Sequence, residues 1–237
     1  MKIKAVLFDL DGTLLPMDQR GFFKEYFNLL CKKLYPLGYT DPKKLVKTIW
    51  NGVDKVCESN GEKTCGEVFW EHFISVYGKT LQELEAILFD FYQKEYDHTK
   101  VMCGYSQKSK ETVEKIKQKG LRTAVATKPI FPDIAVRKRI EWAGFEAEDF
   151  EFYTSYEKCR FCKPSENYFK EVAEKMGLLP EECLMVGNDV DDDMPAQNCG
   201  MKVFLHTDCL LNEKNKDATK YRQGSFEELL EYIEELA

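Results

Sequence analysis

Five short apolar runs, each rich in β-forming residues and each ending at a polar or small residue, constrain this 237-residue chain more than anything else in it. They are KAVLFD (4–9), RTAVAT (122–127), FEFYTS (150–155), CLMVGN (183–188) and KVFLH (202–206). Several are apolar throughout rather than alternating, which suits strands of a sheet covered on both faces. Helical patterns lie between the later runs. SKETVEKIKQKG sets Val113 and Ile116 on one face and ends on Gly120, and SENYFKEVAEKMG spaces Phe169, Val172, Ala173 and Met176 before Gly177. The last segment opens with Ser225 and Glu228 three residues on, a capping box, and then places Leu229, Ile233 and Leu236 on one stripe. Strand alternating with helix predicts an α/β fold with a parallel sheet and right-handed crossovers.

One region breaks the alternation. From Met17 to about Asp97 there is no convincing strand, but there are four helix-like stretches, near 20–35, 42–57, 66–77 and 80–96. Pro36, Gly38, Pro42, Gly61 and Gly78 punctuate them. An all-helical block this long is more than a crossover needs. The expectation is a Rossmann-like parallel core formed by 1–16 and 100–237, with a four-helix domain, 17–99, inserted after the first strand.

Thirty-four basic and 41 acidic side chains give a formal charge of −7, and no basic cluster is interleaved with aromatics, which argues against nucleic acid as a partner. The first residues lack the apolar core and cleavage site of a signal peptide, and nothing approaches a membrane span. Nine cysteines, spread thinly, suit free thiols in a reducing compartment. Together these features predict a cytoplasmic protein that needs no membrane partner.

Chemistry gathers at the strand ends. The first run ends in FDLDGT, with Asp9 and Asp11 two apart at the edge where open α/β sheets place ligands, and Gly12 free to turn sharply after them. The second ends at Thr127, followed by Lys128 and Pro129, a hydroxyl and backbone N–H groups suited to a phosphate. After the third comes Lys163, just ahead of a helix, a place the helix dipole disfavours for a cation unless something negative lies nearby. The fourth runs into GNDVDDD, where Asp189, Asp191, Asp192 and Asp193 crowd within five positions. A calcium loop opening at Asp189 would need a glycine sixth and a glutamate twelfth, but these places hold Met194 and Gly200. A helix cap uses one or two carboxylates, not four. A parallel sheet brings such ends to one edge, where carboxylates from the first and fourth could share a hard divalent cation such as Mg²⁺.

In this combination and order, DLDGT, ATKP, CKP and GNDVDDD resemble the four motifs of the haloacid dehalogenase (HAD) superfamily, phosphatase branch. The resemblance covers about 1–16 and 100–237, and the helical insertion sits where that family carries its first-type cap. It implies a Mg²⁺-dependent phosphatase of a small phosphorylated metabolite of the phosphoglycolate, sugar phosphate or nucleotide class, working as a monomer or homodimer. Asp9 would be the nucleophile, Asp11 the acid and base, and Thr127, Lys128 and Lys163 would hold phosphate oxygens. Asp9, the main chain of Asp11, and Asn188 or Asp189 would meet the metal, with Asp189 favoured and with Thr13 and Asp193 in support. The family's dehalogenases lack the second aspartate, so Asp11 points to phosphoryl transfer.

A phosphomutase on the same fold and a non-catalytic sensor of phosphorylated metabolites, the latter suggested by Asn188 where a charge is expected, are the competing implications. Cys159 and Cys162, spaced as half a zinc site, lack a second pair and read as packing. The aromatics of the insertion, among them Phe22, Phe23, Trp50 and Trp70, stand at helical spacing and read as its own core. Arg20, and Glu62 and Lys63 in the polar break ESNGEKTCGE (58–67), are the expected selectors of substrate.

Overall fold

The computed structural model describes residues 2–236, apart from the side chain of Leu81; Met1 and Ala237, the outermost residues of the expected core, lie outside it. Six parallel strands, β1 (Ala5–Phe8), β2 (Arg122–Val125), β3 (Phe152–Tyr153), β4 (Cys183–Gly187), β5 (Lys202–His206) and β6 (Gln223–Gly224), form one sheet in the order β3-β2-β1-β4-β5-β6. The first of them lies between β2 and β4, with Phe8 level with Val125 on one side and Val186 on the other. Chain order reverses at that point, so a crevice opens beyond the C-terminal ends of these three strands.

Both faces of the sheet are covered, as its uninterrupted apolar runs require. Val6 and Phe8 of β1 join one buried cluster with Val113, Ile140 and Leu229, from helices α5 (Gln107–Gln118), α6 (Asp133–Trp142) and α8 (Phe226–Glu235). Ala5 and Leu7 join the other, with Phe169 and Val172 of α7 (Glu166–Lys175). Alternate residues of one strand thus anchor two cores. Ser225 caps α8 as its sequence predicts, with its N–H donating to Glu228 at 2.7 Å.

Between β1 and β2 stand four helices, α1 (Gln19–Leu34), α2 (Pro42–Cys57), α3 (Cys65–Tyr77) and α4 (Leu81–Gln93), each within a few residues of its predicted span. Asp18, Asp41, Thr64 and Thr80 cap their N-termini through side-chain oxygens. Where the chain leaves β1 for these helices and where it returns, the two passages pair side by side: Asp18 N–H donates to the carbonyl of Met102 at 2.9 Å and Gly104 N–H to that of Pro16 at 2.7 Å. No described helix is long and apolar enough to cross a membrane.

Three features differ from the sequence reading. The run 150–155 yields only a two-residue edge strand, although Glu151 and Thr154 extend its ladder by donating to Thr123 and Val125. Strand β6 is a short pairing with Leu205 and His206 and has no apolar run to announce it. Helix α6 was not expected, because Arg137, Lys138 and Arg139 interrupt its apolar face.

Candidate active site

The motif residues meet in the crevice. Asp9 follows β1 directly, and its N–H donates to Val186 of β4 at 2.8 Å, so the first and fourth strand ends are stitched together at Asp9. Gly12 has φ +88°, and a Cβ there would lie 2.3 Å from the Nδ2 of Asn188, so only glycine lets the first motif pass this close to the fourth. Thr13 donates its hydroxyl to Asn188 Oδ1 at 3.0 Å, and Asn188 Nδ2 donates to the carbonyl of Cys209 at 2.7 Å. The asparagine amide is therefore committed at both ends to holding loops together. No sequence signal pointed to Cys209, which the parallel sheet delivers from the loop after β5.

Lys163 is fully buried and donates to Asp9 Oδ1 at 2.8 Å and to Asp193 Oδ1 at 2.5 Å. Asp193 Oδ2 in turn accepts from Asp189 N–H at 2.9 Å, and a Cβ on Gly187 would lie 2.1 Å from that same oxygen. Burial alone would push the lysine toward its neutral form, but the two carboxylates outweigh it and hold the ammonium well above its ordinary value. This resolves the oddity of a cation ahead of a helix N-terminus: its partners are carboxylates from two other strand ends.

The crowded carboxylates of GNDVDDD are dispersed rather than pooled. Asp193 goes to Lys163, Asp192 to Lys128 at 2.8 Å, and Asp191 turns outward to Lys214 and Lys216. Asp189 accepts the N–H groups of Asp191 and Asp192 at 2.7 and 3.1 Å and has no cationic partner among the described residues. Its carboxyl is pushed up to about 6, chiefly by burial and then by Asp192 and Asp193. Asp9 is pushed up to about 8, again by burial first, with Asp193 and Asp11 adding to the rise and Lys163 opposing it.

Asp11 has a partner that sequence reasoning missed. Its Oδ2 accepts from Arg139 Nη1 at 2.7 Å, while its Oδ1 is buried with no partner. Arg139 is 1% exposed and its guanidinium lies 4.3 Å from the ring centre of Phe131. The available signal was a cation on the buried stripe of α6, beside Ala135, Val136 and Ile140. Gln19, at the start of α1, donates to the Asp11 main-chain carbonyl at 3.2 Å.

Asp9, Asp11, Thr127, Lys128, Lys163, Asn188, Asp189 and Asp193 all line this one polar cleft. Arg20, Glu62 and Lys63 do not. Arg20 lies at the surface against Glu213 at 3.3 Å, and Lys63 pairs with Glu71. The break 58–67 does reach the core, but through small groups and backbone: Gly61 packs on the Phe161 ring, Cys65 N–H donates to Cys159, and Gly66 N–H donates to Tyr156. The exposed side chains of Glu62 and Lys63 are thereby left facing water. Cys159 and Cys162 are buried, and Cys162 Sγ lies 3.6 Å from Cys57 Sγ of α2. Among the described residues no three carboxylates, imidazoles or thiols form a ready-made metal cage.

A family model described as haloacid dehalogenase-like hydrolase matches residues 3–200. The chain is 23% identical over 205 residues to the pyrophosphatase PpaX of Bacillus cereus (strain AH820), covering 85% of this chain and 82% of that one. It is 28% identical over 209 residues to the glyceraldehyde 3-phosphate phosphatase of Methanothermobacter thermautotrophicus, covering 86% and 85%. Among solved structures, a HAD phosphatase from Thermococcus onnurineus superposes with a TM-score of 0.60 at 18% identity, covering 98% of both chains, a likeness of fold.

Proposed function

We propose that this chain, which belongs to the haloacid dehalogenase-like hydrolases and is a phosphatase of that family, cleaves a small-molecule phosphate monoester through an aspartyl-phosphate on Asp9, with Mg²⁺ as cofactor. The observation that carries the reading is the buried Asp9–Lys163–Asp193 relay at the switch point of the sheet, with Thr127 on the same cleft. Asp9 attacks phosphorus in line, its oxygen–phosphorus bond forms, and the bond to the ester oxygen breaks. Lys163, Lys128 and Thr127, all on the cleft, would hold the equatorial oxygens.

Asp11 gives its proton to the departing oxygen, then accepts one from the water that attacks phosphorus, releasing phosphate and restoring Asp9. Its geometry suits both acts. Arg139 fixes one carboxyl oxygen and leaves the other, Oδ1, without a partner among the described residues. The carboxyl is raised above its ordinary value, chiefly by burial and against the pull of Arg139, and the rise favours both its holding the proton before the first act and its taking one up in the second.

The donor set fits Mg²⁺. Asp9 and Asp189 are carboxylates whose pKa values burial and neighbouring charge push up to about 8 and about 6, the mark of a site short of positive charge. Mg²⁺ takes one or two carboxylates and completes its octahedron with water and substrate phosphate, so a closed protein cage is not needed. We assign Asp9, Asp189 and the Asp11 main-chain carbonyl to it; the commitment of Asn188 to Thr13 and Cys209 favours Asp189 over Asn188. When bound, the cation supplies positive charge that lets a carboxylate approach a phosphate dianion.

In this reading residues 17–99 act as a cap that closes over the leaving group and excludes bulk water while the aspartyl-phosphate forms. The proposal is tested by phosphate release from a panel of esters with and without Mg²⁺, for the wild type and Asp9→Asn. Turnover by the wild type alone, and only with metal, is expected. Release by Asp9→Asn at the wild-type rate would refute the nucleophile. Isomerised ester with little free phosphate would make the chain a mutase.

A further inference from the structure

Next to the polar cleft lies a second cavity of about 340 Å³, enclosed by α1 to α4 and by the segment after β2. It is within the size range of small-molecule sites. Its walls are aromatic and aliphatic, with Phe27, Val53, Trp70, Phe73 and Leu88 representative, and among the described residues no lysine or arginine lines it. Its only carboxylates are Glu85 and Glu157, both exposed, and its hydroxyls answer each other: Tyr26 to Tyr92 at 3.0 Å, and Tyr156 to the indole N–H of Trp70 at 3.4 Å.

The cavity and the cleft share three residues, Phe23, Ile130 and Phe131. The same short stretch after β2 turns Thr127 and Lys128 toward the cleft and Ile130 and Phe131 toward the cavity. Phe23 stacks on Phe131 at 6.1 Å, and Arg139, the partner of Asp11, covers Phe131 at 4.3 Å. One aromatic ring therefore separates the group that handles the leaving oxygen from the space where the rest of the leaving group must go.

From this continuity we infer that the cavity is the leaving-group site, and that the substrate is a phosphate monoester of an apolar, uncharged alcohol. The inference rests on the phosphatase reading above and narrows it. A sugar would bring several hydroxyls against a wall whose buried polar groups are already paired with each other and whose two carboxylates lie at the surface, leaving most of those hydroxyls without partners. A second phosphate, as in pyrophosphate, would meet no cation and two carboxylates. An alkyl or aryl chain meets neither cost and gains by leaving water.

The test compares kcat/KM for methyl, butyl, hexyl and octyl phosphate and 1-naphthyl phosphate with that for pyrophosphate and glycerol 1-phosphate, in Mg²⁺. A rise of about fourfold per methylene, until the cavity is filled, is expected from apolar transfer. A flat series, or preference for pyrophosphate or glycerol 1-phosphate, overturns the substrate class and leaves the phosphatase reading standing. No turnover of any ester sinks that reading instead; the substrate class is then judged by calorimetry with octylphosphonate against methylphosphonate, where equal affinity overturns it. Val53→Phe, which fills the cavity from α2, should lower the octyl-to-methyl ratio at least tenfold. Trp50→Ala, at the rim with the side chain 37% exposed, gives the second variant if the first does not fold. An unchanged ratio in a folded variant of either kind counts against the site.

Discussion

The polar cleft and the apolar cavity lie side by side but are built on opposite principles. In the cleft most charges are answered by a charge from another element: Lys163 by Asp9 and Asp193, Lys128 by Asp192, Arg139 by Asp11. In the cavity almost nothing is charged, and helical spacing puts most of the rings on its walls, with Phe131 and Tyr156 added from the loops after β2 and β3. The cleft has the fixed, preorganised dipoles that stabilise developing charge. The cavity offers only shape and exclusion of water. On the proposed reading, chemistry and selectivity are thus separable in this molecule, with Phe131 and Arg139 at their boundary.

The largest expected effect belongs to the cleft alone. Asp9→Asn removes the proposed nucleophile and keeps its shape, so kcat should fall by about 10⁴-fold or more. The fall should be the same for every ester, because the cavity is untouched. Steady-state phosphate release across a leaving-group series checks this, and a fall that varied with leaving group would show the two regions to be coupled at the nucleophile.

The same residue sets a pH dependence. With Asp9 raised from 3.8 to about 8, the folded metal-free protein keeps a proton that the unfolded chain has already released. Where the folded state holds more protons, stability falls as pH rises. Asp9 therefore costs the metal-free fold progressively more between about pH 4 and 8, on the order of a few kcal/mol in all, and Asp189 adds to the lower part of that window. Thermal unfolding in EDTA should show Asp9→Asn gaining on the wild type as pH is raised from about 5 to 8. A constant difference would mean that the carboxylate ionises normally. Mg²⁺ should narrow the gap.

Arg139→Met tests the boundary. Losing the guanidinium frees Asp11 to rotate and uncovers Phe131, so kcat should drop by about 10²-fold, with Arg139→Lys recovering part of it through its charge. Long esters should suffer more than short ones, unlike the uniform loss at Asp9. A drop below about threefold in a folded Arg139→Met protein would remove Arg139 from any positioning role. Circular dichroism guards against misfolding, since breaking a buried pair costs about 3–5 kcal/mol.

The two regions were unequally legible in the sequence. Strands β1, β2, β4 and β5 could be read because a strand buried on both faces is an unbroken apolar run, and in a parallel sheet the residues after such runs must share an edge. Hence Asp9, Asp11, Thr127, Lys163 and the acidic turn all reached the cleft. Arg139 and Cys209 could not be placed, because their contacts span about 130 and 20 residues and depend on how α6 and the last loops pack. The cavity was hidden for a different reason. Helical spacing told which faces of α1 to α4 are apolar, but not that these faces would stop short of meeting. Tyr26, Trp70 and Phe73 are both core and wall.

The smallest expected effect concerns the residues that looked most like selectors. Arg20 and Lys63 are exposed and their partners, Glu213 and Glu71, are exposed as well, so solvent screens each pair and it contributes little to stability. Neither side chain lines the cleft or the cavity. Arg20→Ala, Glu62→Ala and Lys63→Ala should each leave kcat/KM within about twofold for every ester and stability within ~0.5 kcal/mol, the ordinary range for surface changes. Selectivity that moved tenfold in Arg20→Ala would mean that a polar side chain at the mouth, and not the apolar wall, chooses the leaving group, and the separation of chemistry from selectivity would have to be redrawn around it.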